Sequence, residues 1–160
     1  MSFGGSRESR FMVYITALVA LMLGILPLPQ WLSVFWPHFL VLVVLYWSTM
    51  TPRAGGILLG FLAGLCLDVF NGSQLGQHAL ALSLLAYLAI RLHLLTRAKP
   101  IFEQSVLALV ALFVYEGVLW AVDGWSGQRV SSWTRWVPVL TSALAWPVIV
   151  GLLGRLHQPR

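Results

Sequence analysis

Charge is what this sequence has least of. Only 9% of its 160 residues are Asp, Glu, Lys or Arg, against 59% hydrophobic, and five acids face ten bases. A soluble domain carries about a quarter charged residues, and no single core of this length could hide so much apolar surface. No formally charged side chain occurs between Arg10 and Arg53, a run long enough for two crossings at roughly 20 residues each. Cysteine is nearly absent. Cys66 alone excludes an internal disulfide and a cysteine metal cluster, and it reads as a small buried hydrophobe. There is no Walker A loop, no HExxH, no GxSxG and no cofactor fingerprint. The bases form no stripe interleaved with aromatics, so the pI near 10.2 does not signify nucleic acid.

What remains is an all-α, polytopic membrane protein with mean hydropathy +0.84, expected as one integral domain over 1–160. Six spans are expected: Phe11–Leu28, Pro37–Met50, Ala54–Phe70, Leu75–Leu95, Ile101–Val122 and Arg135–Gly154. Prolines 27 and 29 end the first, and Pro37 suits the first turn of the second. No small-residue cleavage site follows the first apolar segment, so it reads as a retained helix rather than a signal peptide.

With the N-terminus inside, Arg7, Arg10, Arg53, Arg91, Arg97, Lys99, Arg155 and Arg160 collect at inner ends, and only Arg129 and Arg135 at outer ones. That asymmetry predicts an N-in/C-in topology, with short cytoplasmic tails at 1–10 and 155–160. Trp31, Trp36, Trp120, Trp125, Trp133 and Trp136 fall near the outer ends, as an interfacial belt would. Trp47 and Trp146 do not.

Chemistry concentrates in GLCLDVFNGSQLGQHAL, Gly64 to Leu80. Gly56, Gly60 and Gly64 stand four apart and then comes Asp68, so one helix face presents a glycine groove that ends in a carboxylate. Small residues let membrane helices approach closely. The groove is therefore a helix-packing or partner-docking face, and spacing does not say which chain lies against it. Asn71-Gly72-Ser73 is a turn signal, and Gly72 and Gly76 extend the small-residue set. Asn71, Ser73, Gln74 and His78 can cap helix ends; alternatively they line a pocket with Asp68.

Asp68 and Glu116 lie about 21–23 Å across a core of about 30 Å when counted from the inner starts of their spans. Acids at that depth face the bundle interior or a water-filled cavity. They could share a proton or a cation, or pair with Arg135, Arg129 or His78. The candidate inward cluster is thus Asp68, Glu116, His78 and Gln77. Arg91 and Glu103 read as charges that pair or snorkel. Trp146-Pro147 marks a structural kink in the last span. Asp68, His78 and Ser73 are the only hydrolase-like ingredients, and their spacing specifies no triad.

Four pieces together resemble the MreD family of rod-shape-determining proteins. They are Pro37 with the aliphatic run to Tyr46-Trp47, Pro52-Arg53, Gly64-x3-Asp68-x3-Gly72-x3-Gly76-Gln77, and Trp146-Pro147, in family order over nearly the whole chain. The resemblance implies a non-catalytic inner-membrane subunit of the bacterial elongation machinery for side-wall peptidoglycan. Its implied partners are MreC directly, and MreB, RodA and a class B penicillin-binding protein less directly. The six-span layout also resembles the substrate-binding S components of energy-coupling-factor transporters, which implies a compact bundle with an outward-facing cavity. The alternative function is therefore a small-molecule-binding or transport subunit. His78 and Glu116 match no motif of the family.

Overall fold

The computed structural model describes residues 4–127 and 133–157, without the side chains of 4–9 and 157. Among the described residues seven α-helices follow one another: α1 (Gly4–Gly24), α2 (Gln30–Ser33), α3 (Phe39–Met50), α4 (Ile57–Asn71), α5 (Gln77–Arg97), α6 (Ile101–Trp125) and α7 (Val137–His157). A 3-10 turn, Trp133–Trp136, leads into α7. No strand occurs among the described residues. Arg129 and Arg160, which entered the topology expectation, lie outside the described residues. α1 is helical from Gly4 and α7 runs to His157, so helix continues into both stretches expected as tails.

Among the described residues three helical stretches are long and apolar enough to cross a membrane: Gln77–Arg97, Ile101–Trp125 and Trp133–Leu156. Arg10–Gly24, Phe39–Met50 and Ile57–Asn71 are also apolar but shorter. The first apolar helix stops at Gly24, before the expected Leu28, because Pro27 and Pro29 cannot donate to a continuing ladder. The chain then makes the four-residue α2, which apolar periodicity did not signal.

The core is built around α3. Every residue from Leu40 to Thr49 is buried, as expected of a helix that is apolar all round. At 1.5 Å per residue its 12 residues measure about 18 Å, so a short rod is enclosed by longer neighbours. It packs against α5, α1 and α7. Trp47, which did not fit an interfacial belt, is wholly buried here and donates to Thr16 Oγ1 at 2.8 Å. Trp31, Trp125 and Trp133 are the most exposed tryptophans.

Outer faces are as apolar as the core. Phe11, Tyr14, Leu18 and Met22 of α1 are exposed, whereas Val13, Ala17, Ala20 and Leu21 on the other face are buried. On α4, Leu58, Phe61, Leu62 and Phe70 face out, and Leu59, Gly60, Ala63, Gly64, Leu67 and Asp68 face in. A helix with apolar residues on both faces belongs in lipid rather than water. Cys66 corrects the sequence reading: it is exposed, because it lies on the outer face of α4.

Candidate functional site

The functional region begins where α4 turns into α5. The Asp68 carbonyl accepts the N–H groups of Gly72 and, at 3.1 Å, Ser73, closing the last turn of α4. Gly72 takes φ +61° there and Gly76 takes φ +101°, a left-handed region that glycine enters without a side-chain penalty. A Cβ on either would meet open space. Within the chain their role is therefore backbone conformation in the turn, not helix packing.

The Asp68 side chain then starts the next helix. Oδ2 accepts from the N–H of Gly76 at 2.8 Å and of Ala79 at 3.4 Å, and Oδ1 accepts from the N–H of His78 at 2.9 Å. Gly76 at the N-cap of α5 has no side chain to do this. An acid from the preceding helix thus satisfies the orphan donors at the head of α5 and meets its positive dipole end. Ser73 Oγ at 2.9 Å and His78 Nδ1 at 2.8 Å complete its shell, and Asp68 is 1% exposed.

This geometry requires α4 and α5 to touch. A Cβ at Gly64 would lie 2.3 Å from Ala79 Cα, and one at Gly60 would lie 2.7 Å from the Leu82 carbonyl oxygen. The surface against these two glycines is α5 of the same chain, so the groove is filled from within. Gly56 falls outside the helix, at the N-cap of α4. Gly55, not singled out by spacing, is as tight: its Cβ would lie 2.4 Å from Trp47 Cβ.

The expected inward cluster separates into two groups. Arg135, from the 3-10 turn before α7, donates its Nε–H to Glu116 and an Nη–H to Asp123, both on α6. Gln77 Nε2 donates to Asp123 Oδ1 at 2.6 Å, and His38 Nε2 lies 3.9 Å from Glu116 Oε2. The side chains of Arg135, Glu116 and Asp123 are 15%, 4% and 12% exposed. Among the described residues, no hydrogen bond or ion pair joins Asp68 to Glu116. Each acid is compensated by its own partner, as burial at membrane depth demands. Asp123 and His38 were missed in the sequence. Asp123 lies seven residues beyond Glu116, two turns along the same face, which is the signal that could have found it.

A cavity of about 340 Å³ is lined by His38, Asn71, His78, Tyr115, Glu116 and Arg135, with leucines forming much of the rest. Asp68 and Gln77 are buried but do not line it. Tyr115 stands between the two imidazoles, at ring-centroid distances of 5.9 Å from His38 and 6.4 Å from His78.

The trio Asp68, His78 and Ser73 is not a hydrolytic triad. Both Asp68 Oδ1 and Ser73 Oγ approach the same nitrogen, His78 Nδ1, at 2.8 and 3.3 Å. A relay needs the acid on one ring nitrogen and the nucleophile on the other. Here the serine hydroxyl donates to the carboxylate instead.

Elsewhere, Glu103 pairs with Lys99, not Arg91, and Arg91 Nε donates to the Tyr87 hydroxyl at 3.1 Å. Pro147 lies inside α7, where its missing N–H leaves the carbonyl of residue 143 without an intrahelical donor.

Against known proteins, the family model described as rod shape-determining protein MreD matches residues 6–156. The rod shape-determining protein MreD of Haemophilus influenzae is 30% identical over 140 residues, covering 88% of this chain and 86% of that protein. No solved structure matches the chain.

Proposed function

This chain belongs to the MreD family, and from that premise we propose that it is a non-catalytic subunit of the machinery that elongates the wall of rod-shaped bacteria. It sits in the inner membrane as a six-span bundle of S-component type with both ends in the cytoplasm. There it binds MreC and so helps to position or regulate side-wall peptidoglycan synthesis. MreB, RodA and a class B penicillin-binding protein are its more distant neighbours in the same machinery.

The observation that carries the reading is the family match over nearly the whole chain. Physical features support it. The compensated polar groups build joints rather than a reaction centre: Asp68 caps α5, and Arg135 ties α6 to the turn before α7. Arg97 and Lys99 at the α5–α6 turn, with Arg53 and Arg155, stand at ends that alternate with the tryptophan-rich ones, which favours the N-in/C-in orientation.

Depletion of the protein in its host tests this, with cell width and length followed by microscopy. Rods should swell into spheres within a few generations and recover on re-expression. Cells that stay rod-shaped after the protein has gone would overturn the proposal.

A further inference from the structure

The cavity of about 340 Å³ is lined by polar groups whose bonding capacity the protein itself does not use. Glu116 spends Oε1 on Arg135, while Oε2 accepts no hydrogen bond and has His38 Nε2 3.9 Å away. His78 Nδ1 lies 2.8 Å from Asp68 Oδ1. An ionised carboxylate only accepts, so the ring proton is on Nδ1, and Nε2 of the neutral imidazole is left as an acceptor. Tyr115 is 2% exposed. Among the described residues, neither its hydroxyl nor His78 Nε2 has a hydrogen-bond partner. The unpartnered side-chain atoms sealed from solvent are His38 Nε2, Gln104 Oε1 and Trp146 Nε1. Glu116 Oε2, Tyr115 Oη and His78 Nε2 are not among them, so they are open to the cavity that their residues line.

These groups stand together. The rings of His38 and Tyr115 are 5.9 Å apart and those of Tyr115 and His78 6.4 Å, so one wall runs from Glu116 past His38 and Tyr115 to His78. It is rich in acceptors and surrounded by an acidic excess. Asp68, Glu116 and Asp123 stand against one guanidinium, Arg135, which two of them already share. An anion would find no free positive charge here. Among the described residues, no three His, Cys, Asp or Glu side chains are grouped to hold a metal ion, which leaves an organic cation. The volume lies within the small-molecule range, which begins near ~300 Å³. Leu40, Leu67 and Leu119 offer an apolar lining to an alkyl part, and Leu26, Ser33 and Asn71 are exposed at the rim. An ammonium has three N–H donors and no acceptor, so it complements an acceptor wall. A trimethylammonium brings the charge without a donor.

We propose that this cavity binds a primary ammonium, carried by a free amine or by an ethanolamine lipid headgroup, with Glu116 as counter-ion and Tyr115 and His78 as further acceptors. Neither the site nor its ligand depends on the wall-elongation reading.

The test melts the purified protein in mild detergent against ethanolamine and, at equal ionic strength, choline, which keeps the alcohol and the charge but replaces every N–H by methyl. Ethanolamine should raise the unfolding temperature saturably, and choline should bind at least tenfold more weakly. Tyr115→Phe removes a hydroxyl that bonds nothing in the protein, so it should melt with the wild type yet bind ethanolamine about tenfold more weakly. Glu116→Gln should abolish the shift. Native mass spectrometry from vesicles of equal phosphatidylethanolamine and phosphatidylcholine reads the source. Preferential retention of phosphatidylethanolamine, lost in Tyr115→Phe, assigns the ammonium to a headgroup, and an ethanolamine shift without that preference assigns it to a free amine. Equal responses to ethanolamine and choline, or binding of either probe untouched by Tyr115→Phe, would overturn the site. So would a folded protein with neither an ethanolamine shift nor a lipid preference.

Discussion

Replacing Gly64 by alanine would drive a methyl group into the backbone of α5. The added Cβ would lie 2.3 Å from Ala79 Cα, 2.4 Å from its nitrogen and 2.6 Å from the His78 carbonyl carbon. Ordinary carbon contacts begin near 3.5 Å, so the two helices must part by about 1 Å or more. The Asp68 carboxylate spans that same gap. Its bonds to the N–H groups of Gly76 and His78, now 2.8 and 2.9 Å, would stretch beyond the 3.5 Å limit of a hydrogen bond. Two bonds to a charged group at about 1.5–3 kcal/mol each, added to about 1–3 kcal/mol of overpacking, come to about 4–9 kcal/mol. Total stabilities of 5–15 kcal/mol leave little margin. Gly64→Ala should therefore yield little monodisperse protein, with a thermal melt in detergent lowered by well over 10 °C. Ala79→Gly should not rescue it, because the clash is with backbone atoms rather than a methyl. Gly117→Ala, on α6 with nothing within 4 Å, should stabilise by about 0.5–1 kcal/mol. A Gly64→Ala protein that melts with the wild type would refute the account of the hairpin.

Other substitutions probe the remaining joints. Asp68→Asn keeps the shape but turns an NH2 toward at least one backbone N–H, so the melt should show a loss of about 2–4 kcal/mol; Asp68→Ala should lose more. Arg135→Met strands two buried carboxylates and should cost about 3–5 kcal/mol, whereas the triple change with Glu116→Gln and Asp123→Asn should recover much of that loss in chemical denaturation. Gly72→Ala forces a side chain into the left-handed region and should destabilise by about 1–2 kcal/mol, visible as a lower unfolding temperature with no change in helix content.

The sequence was most legible where a residue acts on its own neighbours. Prolines 27 and 29 marked an end to α1, and Asp68 with Gly72 announced the turn, because these effects are local. Helix-to-helix register was not legible. Spacing placed Gly60 and Gly64 on one face but gave no means of telling that Ala79 and Leu82 of the same chain press against it. It also drew Gly56 into a helix that starts after it, since periodicity does not see a cap. Asp68 and Glu116 lie at similar depth along their helices, and depth alone suggested one cluster. Rotation about the helix axes, which depth does not fix, directs Asp68 to α5 and Glu116 to Arg135. Cys66 was misjudged for a related reason: in a lipid environment apolar residues lie on both faces, so hydrophobicity no longer reports burial.

Affinity capture from the host's own membranes in mild detergent, with bound proteins identified by mass spectrometry, tests the functional account most directly. Co-recovery of MreC and the wall synthase is the result it predicts. Recovery of a transport ATPase module in their place, or of no wall protein from a well-folded sample, would contradict it.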